Sequence, residues 1–489
     1  MHPALFQINT RVWLTELARK LGRPATLHDI EDAELDRLAE AGFDFVWLLS
    51  VWQTGPAGLA ISRSNVQWRR EFQETLPDLQ EEDIVGSGFA IAGYTVERRL
   101  GGDEALARLR ERLRRRGMRL LLDFVPNHTA LDHPWVEERP EYYVPGTELD
   151  LAGAPQNYVW ASRQAGDLLL AHGRDPFFPG WADTLQLNYG NPALQQAMVG
   201  ELTRIAGQCD GVRCDMAMLV LPEVFERTWG IRSEPFWPRA TQEVRKSHPE
   251  FRFMAEVYWN LEWTLQQQGF DYTYDKRLYD RLRDGQARPV REHFLAGLDY
   301  QNKLARFLEN HDEPRAAATF PPDEHRAAAV ITYLSPGLRF FHDGQFQGRK
   351  QRISPHLGRR PDEPVEASLE QFYSRLLAVL RRPAAREGEW RLLECAPAWD
   401  GNWTADCFVA FAWEHASGER LLVTVNYAPN QSQCYARLPF NDLDRGAWQF
   451  EDLLGDARYI RNGAELASKC LYLDVGPWQH HLFALWRSD

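Results

Sequence analysis

Three acidic residues, far apart in a chain of 489 residues, end short apolar runs in the same way. Asp215 closes Gly211-Val212-Arg213-Cys214-Asp215, Glu256 follows Phe253-Met254-Ala255, and Asp312 closes Phe307-Leu308-Glu309-Asn310-His311-Asp312. Runs of this kind read as buried strands delivering a carboxylate at their C-terminal ends. In a barrel of parallel strands alternating with helices, such ends converge on one cleft. Carboxylates gathered there are the equipment of glycosidic-bond cleavage, where one group protonates the leaving oxygen and another attacks. Arg213 lies two residues before Asp215, and side-chain direction along a strand repeats every second residue, so both point to one side. A fixed positive fork beside a carboxylate favours its ionised, oriented form.

These carboxylates need eight strands to position them, and eight apolar runs are present. The sequence predicts strands over 7–14, 43–49, 118–125, 211–217, 253–258, 270–274, 307–312 and 337–342. Helical periodicity lies between them. Residues 32–41 carry Leu35 and Leu38 on one face, and residues 103–116 carry Leu106, Leu109 and Leu113 and end at Gly117. The arginines of that second helix alternate with glutamate and read as a solvated face. Asn191-Pro192 opens another helix as N-cap and first helical position. Residues 67–83 are polar and read as a surface excursion. From His128 to about Asp183 periodicity gives way to Pro, Gly, Tyr and Trp, the mark of a functional insertion. After about Pro383 the pattern turns to strands, at 407–413, 421–427 and 470–475. The expected fold is therefore α/β: a (β/α)8 TIM barrel over 1–128 and 184–383, a short loop-rich B domain over 129–183, and a separate C-terminal antiparallel β-sandwich over 384–489.

Composition narrows the function further. Hydrophobic residues make up 44% and charged residues 26%, as in soluble globular proteins. A formal net charge of -13 argues against nucleic-acid or anionic-membrane partners. The six cysteines show neither metal-type CxxC spacing nor a disulfide framework, so reduced thiols are expected. No signal-peptide pattern opens the chain and no apolar run approaches the ~20 residues that span a bilayer, which suggests a cytoplasmic protein. No Gly-rich phosphate loop follows the first strand, so no organic cofactor is expected.

Four segments together resemble one known family. Asp123-Phe124-Val125-Pro126-Asn127-His128, Gly211-Val212-Arg213-Cys214-Asp215, Ala255-Glu256-Val257 and Glu309-Asn310-His311-Asp312 are similar, in order and in strand position, to the motifs of the α-amylase family, glycoside hydrolase family 13. Gly93-Tyr94, Leu187-Asn188 and Pro336-Gly337 support the likeness. Taken singly, a strand-end carboxylate is commonly a loop cap and His128 a buried core histidine. Four motifs in register are not explained that way.

The resemblance implies roles. Asp215 would be the nucleophile and Glu256 the general acid/base, its pKa high while Asp215 is charged and lower once that charge is consumed. Asp312 would grip sugar hydroxyls, His128 and His311 would bind the same sugar, Arg213 would hold Asp215, and Tyr94 would stack beneath the ring. Asp123 and Asn127 would support their loop, while Trp181, Trp237, Trp259 and Trp263 are candidate sugar platforms.

Three departures limit the likeness. A Lys-His pair common after the nucleophile is Met218-Leu219 here, giving an apolar acceptor side. An Asp that helps bind calcium in some members is Gln186, so no structural calcium is expected at that place. An Asp that follows Gly-Tyr in oligo-α-glucosidases is Thr95. The insertion is also short, which suggests a low cleft wall.

The reading is a retaining hydrolase acting on an oligosaccharide or small α-glucoside. A transglycosylase, phosphorylase or isomerase of the same family would use the same residues. A non-catalytic binding barrel is disfavoured by the intact carboxylates, and a metal-dependent hydrolase by the lack of a His-x-His pair.

Overall fold

A computed structural model describes residues 1–488. Eight parallel strands close a barrel: β1 (Ala4–Asn9), β2 (Phe45–Leu49), β3 (Arg119–Phe124), β4 (Gly211–Cys214), β5 (Arg252–Ala255), β6 (Tyr272–Tyr274), β7 (Leu304–Arg306) and β8 (Leu338–His342). Each pairs with its neighbours in sequence, and β8 returns to β1. Inward side chains fill the barrel and outward ones meet helices, so β2 and β8 are buried at every position. Gly211 opens β4 because a Cβ there would come 2.7 Å from the Arg252 carbonyl oxygen on β5.

The helical shell follows its capping chemistry. Helix Gly102–Arg114 buries Leu106, Leu109 and Leu113. Its arginines meet acids on the neighbouring helix, Arg112 reaching Asp32 and Arg116 reaching Asp32 and Asp36, which accounts for the basic face. Helix Pro192–Gln208 starts where Asn191 Oδ1 accepts the Ala193 N–H at 2.9 Å.

Three expected elements differ. The first strand is Ala4–Asn9 rather than residues 7–14; Asn9 Oδ1 accepts the Val12 N–H and starts helix Thr10–Leu21 there. Within residues 67–83, Val66–Thr75 is a helix capped by Asn65, and its Phe72 joins Leu76, Ile84 and Leu357 in a small satellite core. The run 307–312 is not strand: β7 stops at Arg306, and Asn310 Oδ1 takes the N–H groups of Asp312 and Glu313 in a tight turn.

The segment after β3 is pinched at its neck, where strand His128–Ala130 pairs with Thr184–Gln186. Beyond the neck a hairpin joins Tyr158–Ala161 to Leu168–Ala171. The C-terminal region is a two-sheet sandwich. Its six-stranded sheet runs in the order Glu389–Leu392, Phe408–Glu414, Arg420–Asn426, His480–Ser488, Ala447–Asp452, Arg458–Asn462, facing a three-stranded sheet of Cys395–Ala396, Ser432–Ala436 and Leu471–Val475. The sandwich is less separate than expected. Phe411, Trp413 and Val423 belong to the same apolar cluster as the barrel's Tyr333 and Tyr373, whereas Leu422 and Phe483 face the smaller sheet. Trp413 Nε1 donates to the Leu334 carbonyl at 2.7 Å, and the Tyr427 hydroxyl to the Leu282 carbonyl at 2.8 Å. Among the described residues no helix is long and apolar enough to cross a membrane.

Candidate active site

At the C-terminal end of the barrel, Arg213 is fully buried and holds two carboxylates on the two prongs of its guanidinium. Nη1 lies 2.6 Å from Asp215 Oδ1 and Nη2 lies 2.6 Å from Glu256 Oε2. The backbone sets this up. Asp215 follows β4 with its N–H on the Phe124 carbonyl, and Glu256 follows β5 with its N–H on the Cys214 carbonyl. Between them Met216 turns the chain at φ 40° and aims its own N–H at Glu256 Oε2, 2.7 Å away. A non-glycine residue takes that conformation only where its surroundings impose it. The other Glu256 oxygen accepts the Tyr258 hydroxyl at 2.8 Å.

Four carboxyl groups share this one guanidinium, since Asp123 Oδ1 and Asp312 Oδ2 lie 3.7 and 3.9 Å from it. One positive charge cannot support four negative ones in a buried site. Burial raises Glu256 to about 7; Arg213 opposes the shift, while the charges of Asp215 and Asp312 add to it. Burial likewise raises Asp123 to about 6 against the pull of Arg213. Asp312 goes the other way. Removal from solvent pushes its carboxyl up, but His311 and then Arg213 outweigh that and hold it below the ordinary carboxylate range. The Asp312 side chain remains 40% exposed, so it is the carboxylate open to the cleft.

Histidines flank the acids. His311 Nε2 lies 2.9 Å from Asp312 Oδ2, within ion-pair distance though poorly aligned for a hydrogen bond. Gln7 Nε2 sits 2.8 Å from His311 Nδ1. The Gln7 side chain thus orients the ring so that Nε2 faces Asp312. His128 is buried at the end of β3, its ring 5.1 Å from that of Trp181, and burial lowers its pKa so that the ring stays neutral.

A family model for the α-amylase catalytic domain matches residues 30–383, most of the chain. The chain belongs to the α-amylase family. α-Amylase MalA of Haloarcula japonica is 24% identical over 358 residues, covering 71% of this chain and 44% of that protein. Probable oligo-1,6-glucosidase 2 of Bacillus subtilis is 22% identical over 372 residues, covering 64% and 60%. The chain thus spans about half the length of the curated relatives it matches. The crystal structure of the noncanonic maltogenic α-amylase AmyB from Thermotoga neapolitana superposes with a TM-score of 0.70 at 18% identity, covering 99% of this chain and 98% of that one. At that identity the likeness speaks to the fold.

Some α-amylase family members bind calcium near the β3 loop, and the side chains here do not fit a cation at the corresponding place. Gln186 Nε2 lies 2.9, 3.0 and 3.0 Å from Asn127 O, Asn127 Oδ1 and Leu187 O. An amide N–H group already satisfies the oxygens a hard cation would need, and none of them is charged.

The stacking position is a correction. Tyr94 is not beneath the cleft: its hydroxyl bonds to the N–H and carbonyl of Val125, and its ring packs between Trp52 and Phe124. The aromatic beside the acids is Phe89, stacked on His311 at 5.3 Å and 5.2 Å from the Arg213 guanidinium carbon. Sequence reading passed over it because the strand carrying Tyr94 pairs irregularly with Trp52–Thr54. Met218 and Leu219 are buried core residues rather than an open apolar acceptor face. Trp237 is also core, donating to the Ala217 carbonyl, whereas Trp263 is 47% exposed. Tyr258 was legible by the same two-residue spacing from Glu256 that links Arg213 to Asp215; Gln7 carried no signal, because its partner His311 comes from the far end of the barrel sequence.

Proposed function

We propose that this protein is a retaining α-glycoside hydrolase acting on α-glucosides or malto-oligosaccharides through a covalent glycosyl-Asp215 intermediate. The observation that carries the reading is the pair of carboxylates on one guanidinium, one of them raised to about 7. Two carboxylates held on one guanidinium supply the pair that a retaining mechanism uses, one as nucleophile and one as acid/base. Asp215 attacks the anomeric carbon while Glu256 gives its proton to the departing oxygen. The glycosidic bond breaks, and the ester to Asp215 forms. With Asp215 esterified, its charge no longer raises Glu256, so the Glu256 carboxylate takes a proton from water and the hydroxide cleaves the ester. Asp312, ionised and exposed, accepts hydrogen bonds from sugar hydroxyls, most strongly when positive charge develops on the ring. His311 and neutral His128 supply further contacts to the same sugar, and Phe89 offers a flat apolar face.

The amylase and oligo-1,6-glucosidase relatives agree with an α-glucoside substrate. The test is incubation of the purified protein with maltoheptaose and chromatography of the products over time, with Asp215→Asn as the control. Shorter maltooligosaccharides that disappear in the variant are expected. No turnover of maltoheptaose or of any small α-glucoside would overturn the proposal.

A further inference from the structure

Two cysteines meet on the inner face of the smaller sheet of the sandwich. Strand Cys395–Ala396 runs antiparallel to Ser432–Ala436, with Cys395 opposite Ala436 and Ala396 opposite Tyr435. Cys434 lies two residues before Ala436, so its side chain leaves the same face of the sheet as those of Ala436 and Cys395. That face is the core side. Cys434 and Ala436 are fully buried in the sandwich's apolar cluster, and Cys395 packs against the same cluster. The two thiols share a hydrogen bond there.

Access separates the pair. Cys434 is shielded on the central strand, whereas Cys395 is half-buried on a two-residue strand at the sheet edge. The hydrogen bond with Cys395, and after it burial, pushes the Cys434 thiol up, so Cys434 stays protonated. The first reaction with a reagent from solution therefore falls to Cys395. Diagonal neighbours on paired strands stand slightly farther apart than a disulfide requires. The edge strand can close that gap, because it pairs on one side only and Pro397, which has no N–H, follows it.

We propose that Cys395 and Cys434 form a dithiol site that a peroxide oxidises to a disulfide, tying the edge strand to the centre of the sheet. The Cys395 sulfur attacks one peroxide oxygen; the O–O bond breaks, one water leaves, and Cys395 becomes a sulfenic acid. The Cys434 sulfur then displaces the sulfenic oxygen, which departs with the Cys434 proton as a second water, and the S–S bond forms. The two thiols lose two electrons, and hydrogen peroxide is reduced to two waters. A sulfenic acid with a thiol in reach ends as a disulfide instead of passing to the irreversible sulfinic acid. The site is independent of the carboxylates in the barrel and does not rest on the hydrolase reading.

The test is thiol counting on the folded, fully reduced full-length protein after exposure to hydrogen peroxide. The protein is then denatured, titrated with 5,5′-dithiobis(2-nitrobenzoate) and mapped by peptide mass spectrometry. Wild type should lose two of its six thiols, with the Cys395 peptide linked to the Cys434 peptide, and dithiothreitol should restore both. Cys470→Ser, which removes the chain's other half-buried thiol, should form the same link. Cys395→Ser should form no link to Cys434. Retention of all six thiols by wild type, or thiol loss without the Cys395–Cys434 link, overturns the proposal.

Discussion

As the proposed proton donor, Glu256 must keep a proton in the free enzyme; burial and two neighbouring negative charges raise its pKa, partly offset by Arg213. A raised carboxyl pKa keeps the acid form up to about 7 and loses it above, so kcat/KM for maltoheptaose should fall about tenfold per pH unit on that limb. Fluoride needs no protonation to leave, so the same limb should be absent for bond cleavage in α-glucosyl fluoride; a shared limb would place the titration elsewhere. Glu256→Gln should lower kcat/KM for maltoheptaose by about 10³-fold while sparing fluoride release far more, whereas Asp215→Asn should lower both. At this scale the sequence was legible where chemistry follows strand spacing. Arg213, Asp215 and Glu256 meet as their positions at strand ends imply, and Asp312 joins them from the turn after β7. Phe89 was not legible, because which aromatic enters the cleft depends on register shifts between Trp52–Thr54 and Ile91–Val96 that no local pattern encodes.

Elements were read well where a cap or an uninterrupted apolar run fixes them. Asn191 ahead of Pro192 is such a place: Asn191→Ala should cost about 1 kcal/mol in denaturant unfolding, and no change would mean the cap is replaced by solvent. The first strand was misplaced because Asn9 ends it in favour of a helix whose early apolar residues imitate alternation. Residues 307–312 were misread because their hydrophobic start continues past β7 into a turn held by Asn310. The neck of the insertion gives a further prediction. Gln186 fills the oxygen cradle near Asn127, so exhaustive chelation should leave both melting temperature and activity unchanged; a drop restored by calcium would show a cation site there.

The whole molecule is more continuous than its composition suggests. A change from helical to strand-like sequence near residue 383 marks where the sandwich begins but not that its inner sheet covers the barrel's shell. Trp413, Phe411 and Tyr427 are apolar strand residues in sequence, and only the assembled core shows which sheet face they occupy. Removing the sandwich would expose that apolar face, so a chain ending at residue 388 should be insoluble or bind ANS without a cooperative melt. A soluble, cooperatively melting barrel would contradict the shared core.

The proposed double displacement at Asp215 fixes which anomer is released, and proton NMR of freshly cleaved maltoheptaose reads that anomer. Two successive inversions leave the new reducing end as the α-anomer before mutarotation, which is the result expected here. A β-anomer appearing first would mean that water attacks directly, and the glycosyl-Asp215 account would be wrong.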